Sequence, residues 1–214
     1  MERESIEYDV VVVGGGPSGL ASACKLKQLN PELSVCLLEK GSEIGSHIIS
    51  GAVFEPQTLF DLFPEEAKNC PTLKTSVVKD DLYWLANKNK SIKVPSWLMP
   101  KSLHNKGNYI ISLGELCQWI AERAMDLGVD IFPGFPAQQY LTDTNGRVIG
   151  IATGDMGIDK DGNQKGTYAP GMDILAKQTI FAEGARGHLG KKLIKEFGLD
   201  EGKTPQHFAI GFKE

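Results

Sequence analysis

A chain of 214 residues with 41% hydrophobic and 23% charged residues has the composition of a soluble globular protein that can bury a core. The formal net charge is only −4, and the Lys and Arg residues are scattered, which excludes the basic stripe of a nucleic-acid-binding surface. No apolar run approaches the ~18 residues of a membrane-spanning helix, so this chain is not expected to cross a bilayer by itself.

The four cysteines are widely spaced along the chain, with no C-x-x-C pair: Cys24, Cys36, Cys70 and Cys117. This spacing is not that of a zinc site, a redox dithiol or an iron–sulfur cluster. We therefore expect reduced thiols and no metal site in this chain.

The first 40 residues predict a strand, a glycine turn, a helix and a second strand. A β-branched run within residues 9–13 stops at three glycines, which is typical of a strand buried on both faces. Pro17 suits the first turn of a helix, which should end near Asn30. Residues 34–39 form the second apolar run, which ends in an acid. This order is that of a Rossmann-type βαβ unit.

The pattern loosens between residues 41 and 107, and we interpret this segment as an insertion with a small structure of its own. It contains an amphipathic stretch at 56–63 and an alternating stretch at 82–94. Its apolar residues are many for a loop, so they belong either to a core or to a face that rests on a bilayer. They are Ile48, Ile49, Val53, Phe54, Leu59, Phe60, Leu62, Phe63, Trp97, Leu98 and Met99.

Regular elements return after residue 107. They are a strand at 109–112, a helix at 116–125, a strand at 129–132, a buried strand at 179–182 and an amphipathic helix at 189–197. Asn145-Gly146 and the segment 159–162 lie between apolar stretches and predict two hairpins, which together form a β-meander.

A glycine motif lies directly between the first strand and the first helix, the context in which it binds a dinucleotide. Gly14 would permit the tight turn, Gly16 would leave room for a pyrophosphate, and Gly19 would let the helix pack closely on the strands. The helix N-terminus would direct free N–H groups at the phosphates. The candidate phosphate-binding residues are Gly14, Gly15, Gly16, Pro17, Ser18 and Gly19.

Glu39 ends the second strand at about 20 residues from the glycine motif, the usual distance for the acid of a dinucleotide-binding unit. Its carboxylate can accept hydrogen bonds from the hydroxyls of an adenosine ribose, and its charge would repel a 2′-phosphate. Without the glycine motif, Glu39 would be interpreted as a solvated acid. Together with the motif, its position favours binding of the ribose. Lys40 is a further candidate, although its position favours a solvated neighbour over a ligand.

The adenosine diphosphate of NAD or of FAD would fit these residues equally. An apolar strand that ends in Glu183-Gly184 favours FAD, because flavoproteins of the glutathione-reductase type place such a segment beside their first βαβ unit. We therefore expect an α/β, Rossmann-type FAD-binding domain of the glutathione-reductase type. It would carry an inserted segment and a β-meander, and would be incomplete at the C-terminus.

Several sequence blocks make a family resemblance specific. They are VVVGGGPSGL from Val11, LKQL from Leu26, CLLEK from Cys36, IGSH from Ile44, SGA from Ser50, GNY from Gly107, GIAT from Gly150 and FAEGARGHL from Phe181. From Tyr8 to Glu214 the chain resembles the electron transfer flavoprotein:ubiquinone oxidoreductase family.

This resemblance implies an enzyme that oxidises reduced electron transfer flavoprotein and passes the electrons to ubiquinone, using FAD and one four-iron four-sulfur cluster. The cluster and the quinone-binding domain are expected only in the part of such proteins that follows the resembling segment. The resemblance also implies peripheral attachment to the bacterial inner membrane on its cytoplasmic side, or to the mitochondrial inner membrane on its matrix side.

The resemblance extends the cofactor candidates towards the isoalloxazine with His47, Ser50, Gly51 and Ala52, while Glu183 and Gly184 complete them. His47 would tune the reduction potential of the flavin, which is itself the redox centre, so no side chain is predicted to be catalytic. We divide the chain into a first FAD-binding βαβ unit at 1–45, an inserted segment at 46–107 near the flavin and a membrane, and a continuation of the FAD-binding domain at 108–214.

Two other functions fit the same sequence features. One is an FAD- or NAD-dependent dehydrogenase or monooxygenase that acts on a small substrate. The other is a dinucleotide-binding fragment without catalytic activity. A flavin absorbance band separates flavin from nicotinamide, and retained flavin without turnover would indicate the fragment.

Overall fold

The computed structural model of this chain describes residues 3–49, 51–205 and 207. The strands are β1 Ser5–Val13, β2 Val35–Glu39, β3 Ala52–Phe54, β4 Thr75–Ser76, β5 Leu82–Asn87, β6 Lys90–Val94, β7 Tyr109–Ile111, β8 Val129–Pro133, β9 Ala137–Thr142, β10 Val148–Thr153, β11 Met156–Ile158, β12 Gln164–Ala169 and β13 Asp173–Phe181. The α-helices are α1 Pro17–Leu29, α2 Gln57–Leu62, α3 Leu113–Asp126 and α4 His188–Phe197.

The chain divides into two units, one of residues 1–49 with 117–214 and the other of residues 50–116. Six strands of the first unit form one sheet in the order β8-β2-β1-β13-β10-β9. Adjacent strands from β8 to β13 in this order are parallel. β10 is antiparallel to β13, and β9 is antiparallel to β10. With α1 as the connection between the parallel strands β1 and β2, this arrangement confirms the predicted Rossmann-type α/β fold.

Strand pairing and local sequence signals explain where the first strand begins and where the first helix begins and ends. β1 begins at Ser5, before the predicted start at Asp9, because its first residues already pair with β13. α1 begins at Pro17, where a missing N–H costs no intrahelical hydrogen bond, and ends with Asn30 as its C-cap residue. The glycine turn therefore lies between a paired strand and the start of a helix.

Buried side chains of α1 and of the sheet form the core of the first unit. Leu20, Ala23 and Cys24, on the predicted face of α1, are fully buried. The strands contribute Val11, Val12, Val13, Val35, Cys36, Leu37, Leu38, Ile151 and Ile174. Burial of each Leu or Val contributes about 1.5–3 kcal/mol, so this core holds the end of β1 and the start of α1 in place.

Both predicted hairpins are present, in two different sheets. Asn145-Gly146 lies in the turn between β9 and β10, with Gly146 at a φ of 77°. Asp159 accepts the backbone N–H groups of Asp161 and Asn163 in the turn between β11 and β12. β9 and β10 extend the six-stranded sheet, while β11 and β12 form a two-stranded sheet. The strands of the predicted meander are thus divided between two sheets.

The second unit contains the sheet β3-β7-β4, the helix α2 and the hairpin β5–β6. Leu59 in α2 is 4% exposed and Phe63 is 3% exposed, so the amphipathic stretch at 56–63 contributes apolar residues to a core. Trp97 and Leu98 are 79% and 56% exposed. The apolar residues of the inserted segment therefore divide between buried and exposed positions.

Within the described ranges, no helix is both long enough and apolar enough to cross a bilayer. The four cysteines are free and buried. No group of three or more His, Cys, Asp or Glu side chains in the described part of the chain is arranged to hold a metal ion.

Candidate functional site

Two glycines of the motif are required by packing within the protein. Gly14 has a φ of 112°, which glycine adopts without strain, and a Cβ atom there would lie 2.5 Å from the carbonyl oxygen of Ala182. Gly19, in the first turn of α1, lies so close to the carbonyl oxygen of Gly14 that a side chain would overlap it. These glycines bring the turn, the helix and the end of β13 together.

Gly16 is different, because nothing in the protein requires glycine there. It is the N-cap residue of α1, with a φ of −81° and a ψ of 179°, values that other residues also adopt. A Cβ atom at this position would have no heavy atom within 4 Å. The open space lies at the N-terminus of a 13-residue helix, whose first N–H groups have no intrahelical partners. The space and the donors together suit a phosphate group.

The other candidate residues near the glycine motif and the end of β2 differ in their exposure. Gly15 is buried, and its N–H points to Glu39, as described below. Pro17 and Ser18 are the first two residues of α1 and are exposed. Lys40, immediately after β2, is also exposed.

The carboxylate of Glu39 is held by two backbone segments. Its Oε2 accepts the N–H of Gly15 at 2.8 Å, and its Oε1 accepts the N–H of Gly41 at 2.7 Å. The Glu39 side chain is only 14% exposed. Since a carboxylate offers about four acceptor positions, about two remain for donors such as ribose hydroxyls.

The segment after β2 folds back over Glu39 and the glycine turn. Ile44 is buried, and its Cδ1 would lie 2.5 Å from a Cβ atom at Gly15. A Cβ atom at Gly41 would overlap the Oγ of Ser46, so the Ser46 side chain would have to move to admit a side chain there. The segment thus packs closely against the backbone that brings the N–H of Gly41 to the carboxylate.

His47 lies beside Glu39 in this structure. Its Nδ1 is 3.7 Å from Oε1 of Glu39, and 57% of its side chain is exposed. The imidazole is thus next to the acid assigned to the adenosine end, whereas the family resemblance implies a position near the isoalloxazine. Gly51, with a φ of 109°, and Ala52, the first residue of β3, belong to the second unit. Ser50 lies outside the described residues.

Glu183 is engaged with a helix. Its carboxylate accepts the N–H of Leu189 at 3.2 Å and the N–H of Gly190 at 2.8 Å, so it caps the N-terminus of α4. A Cβ atom at Gly14 would lie 3.2 Å from the backbone N of Glu183, so the main chain rather than the carboxylate adjoins the glycine turn. Gly184 is exposed, with a φ of 78°.

Sequence reasoning missed the contacts that hold Glu39. The N–H groups of Gly15 and Gly41 are backbone donors, and only the spacing Glu39-x-Gly41 could have indicated one of them. Cys117 on α3 also lies close enough to be affected by this acid. Burial first, and then the negative charge of Glu39, raises the pKa of the Cys117 thiol to about 11.

Comparison with known proteins agrees with a dinucleotide-binding Rossmann-type unit at the N-terminal part of the chain. Residues 12–65 match the model of a family described as an NAD(P)-binding Rossmann-like domain. Over 219 positions covering 100% of this chain and 40% of the relative, the chain is 55% identical to the electron transfer flavoprotein-ubiquinone oxidoreductase of Pseudomonas aeruginosa. The mitochondrial electron transfer flavoprotein-ubiquinone oxidoreductase of Oryza sativa is 46% identical over 99% of this chain and 37% of the relative.

The predicted family resemblance is therefore confirmed over the whole chain. The chain spans about two fifths of the length of these curated relatives.

Solved structures share the fold at lower identity. A geranylgeranyl bacteriochlorophyll reductase-like protein from Thermoplasma acidophilum has a TM-score of 0.62 and 24% identity, covering 87% of this chain and 42% of that chain. A myxobacterial chondrochloren halogenase, described as a variant of FAD-dependent halogenases, has a TM-score of 0.57 and 16% identity, covering 86% of this chain and 39% of that one. These identities support the fold alone.

Proposed function

We propose that this chain, a relative of the electron transfer flavoprotein-ubiquinone oxidoreductases over its whole length, binds the adenosine end of FAD. The observation that carries this proposal is the open space beside Gly16. Glycine there has no packing role, yet it lies at the N-terminus of α1, beside an acid with free acceptor positions. A pyrophosphate next to the helix and a ribose on Glu39 would account for both features.

The relatives favour FAD over NAD as the dinucleotide. The curated relatives are named as oxidoreductases of electron transfer flavoprotein and ubiquinone. Bound FAD would supply the redox chemistry. The chain's own residues would orient it: N–H groups at the start of α1 would hold the phosphates, and Glu39 would hold the adenosine ribose.

The flavin end of the site is proposed from the family resemblance. His47, Ser50, Gly51 and Ala52 would approach the isoalloxazine, with the backbone of Glu183-Gly184 beside the glycine turn. Residues 1–45 and 108–214 would form the FAD-binding domain, and residues 46–107 would be the segment inserted between them in the sequence.

The complete activity that we propose is electron transfer from reduced electron transfer flavoprotein to ubiquinone. A four-iron four-sulfur cluster would lie in the part of the relatives that this chain does not match. Peripheral contact with the inner membrane, on the bacterial cytoplasmic side or the mitochondrial matrix side, belongs to the same proposal, and Trp97 and Leu98 are among the exposed apolar residues available for it. An FAD enzyme acting on a small substrate is the alternative with the same fold.

The test is the substitution Gly16→Val in this chain. Because a Cβ atom has open space there, the fold should be retained, while the side chain would occupy the pyrophosphate position. We expect loss of saturable FAD binding, measured by equilibrium dialysis and flavin fluorescence, with an unchanged circular dichroism spectrum.

Gly166→Val is the matched control. A Cβ atom at Gly166 in β12 would also have no heavy atom within 4 Å, but this residue is far along the chain from the glycine motif. The control variant should bind FAD like the wild type. Equal binding by Gly16→Val, or tighter binding of NAD than of FAD by the wild type, would contradict the proposal.

A further inference from the structure

His47 lies on a turn that its neighbours hold in place. Ile48 donates its backbone N–H to the carbonyl oxygen of Gly45 at 3.0 Å, which closes a turn around His47. Just before this turn, the side chain of Ile44 is buried and lies against the glycine motif. The backbone of His47 is therefore fixed next to the end of β2, while 57% of its side chain stays open to solvent.

The imidazole and the carboxylate of Glu39 lie on either side of a narrow gap. The Nδ1 of His47 is 3.7 Å from the Oε1 of Glu39, which is too long for a direct hydrogen bond. The negative charge of the carboxylate favours the tautomer with hydrogen on Nδ1, because a lone pair there would face the oxygen. Oε1 already accepts the N–H of Gly41, so about one of its acceptor positions remains.

A hydroxyl group is the ligand that fits a donor and an acceptor at this separation. A hydroxyl can donate one hydrogen bond and accept another, and its oxygen could lie about 2.8 Å from each of the two atoms. A phosphate oxygen could accept from the imidazole but has no hydrogen for the carboxylate. An ammonium group could donate to the carboxylate but could not accept from Nδ1.

We infer that His47 is a specificity-determining residue at the adenosine end of the FAD site. One ribose hydroxyl, at the 2′ or the 3′ position, donates to Oε1 of Glu39 and accepts the Nδ1–H of His47. The two side chains together thus select ribose over the corresponding deoxyribose. This inference rests on the proposed binding of FAD and replaces, for His47, the position near the isoalloxazine that the family resemblance implies.

FAD analogues that lack one adenosine hydroxyl test the contact. FAD, its 2′-deoxyadenosine analogue and its 3′-deoxyadenosine analogue are compared by equilibrium dialysis with wild type and with His47→Phe. Wild type should bind one of the two analogues about ten-fold more weakly than FAD, because Nδ1–H and Oε1 lose their shared partner. In His47→Phe, which keeps a ring but has no donor, this ratio should fall by roughly three-fold or more.

Two further variants separate a ligand contact from a structural effect. His47→Asn keeps an N–H donor near the position of Nδ1, so the wild-type ratio should return. His104→Phe makes the same change as His47→Phe on an exposed histidine of the second unit, and should leave the ratio unchanged. Because both histidine side chains are exposed, all three variants should keep the circular dichroism spectrum of wild type.

The possible outcomes separate this inference from the proposed function. If wild type binds FAD and both analogues equally well, the hydroxyl contact does not exist and the inference alone is overturned. The inference alone is also overturned if His47→Phe changes the affinity for FAD and for both analogues by one common factor, as a contact with the isoalloxazine would. No saturable binding of FAD by wild type would overturn the proposed function and this inference with it.

Discussion

The carboxylate of Glu39 stabilises the fold in addition to its proposed role in binding a ligand. It receives the N–H groups of Gly15 and Gly41, and both of these residues are buried. An acid at a strand end is usually solvated, but this one joins the glycine turn to the segment after β2. Its replacement should therefore affect the fold even when no dinucleotide is bound.

We predict that Glu39→Gln lowers the free energy of unfolding by about 1–2 kcal/mol. An amide has one acceptor oxygen, so Gly15 or Gly41 would lose the acceptor of a buried N–H, which costs about 1–3 kcal/mol. FAD affinity should fall by a similar free energy, because a charge-assisted bond to ribose becomes a neutral one. Urea unfolding without FAD and a separate FAD titration measure the two effects.

Glu43→Gln is the control for this prediction. It makes the same chemical change on an exposed acid slightly further along the chain, and should leave stability and affinity within error. If Glu39→Gln weakened FAD binding without changing stability, the two backbone hydrogen bonds would not matter to the fold. If it changed neither property, Glu39 would have to be removed from the proposed site.

For individual residues, the sequence predicts which residue types the site needs better than it predicts the contacts that they make. Gly14 and Gly19 have the turn and packing positions expected from the motif. The backbone bonds to Glu39 could not be predicted, because they depend on how the segment 41–49 folds back. The carboxylate of Glu183 could not be placed either, since an acid before a helix can cap it or face a ligand with the same sequence pattern.

Among the secondary-structure elements, Asp9 connects three that are distant in sequence. From β1 its carboxylate accepts the backbone N–H and the hydroxyl of Ser34, just before β2, and the Nζ of Lys177 in β13. The hydrogen bond from Lys177, followed by those from Ser34, holds the pKa of Asp9 at about 2. The ionised form is thus favoured in the folded state.

We predict that this contact is lost in acid. Because the pKa of Asp9 is lowered on folding from an ordinary value of 3.8, its stabilising effect is present above about pH 4 and disappears as the pH falls towards 2. Wild type should therefore be more stable than Asp9→Asn at pH 6, and the difference should shrink at pH 3. Thermal unfolding at both pH values measures it.

The control is Asp161→Asn, which makes the same change on an exposed acid in the turn between β11 and β12. It should not reproduce the pH-dependent difference. A difference between wild type and Asp9→Asn that is the same at pH 6 and pH 3 would show that Asp9 acts through something other than its charge.

Element types were predictable, but sheet membership was not. The turn residues Asn145-Gly146 indicate a hairpin, yet they do not say which sheet it joins. β10 joins the main sheet through Gly150, which lies opposite Leu175 of β13 at a φ of 153°. A side chain there would overlap the carbonyl oxygen of Ile174, so close strand contact depends on this glycine. Such a contact between distant strands leaves no local signal.

On the scale of the whole molecule, the reactivity of the buried thiols reports the opening of each of the two units. Burial raises the pKa values of Cys24 and Cys36 to about 12, and Cys117 is also raised, as described above. All three lie in the first unit, whereas the buried Cys70 lies in the second. Alkylation at any of these positions requires the surrounding unit to open, because the thiolate is the reactive form.

We predict almost no modification by iodoacetamide at pH 8 in the native chain. With increasing urea, Cys24, Cys36 and Cys117 should become reactive together, because all three are buried in the first unit. Cys70 should follow the opening of the second unit, at the same or at a different urea concentration. Peptide mass spectrometry measures each site separately. Rapid modification of Cys117 without urea would contradict the burial described here.

The pairing of β1 with β13 sets an order of events during synthesis. A ribosome releases Val13 early, but Asp173, where β13 begins, follows only after all the strands from β2 to β12 have been made. At about 5–20 residues per second, this separation lasts roughly 8–30 s. Until then β1 lacks one of its two neighbours, and its valines remain exposed at a strand edge, where they favour aggregation. The nascent chain should therefore depend on chaperones most strongly before residue 181 has left the ribosome.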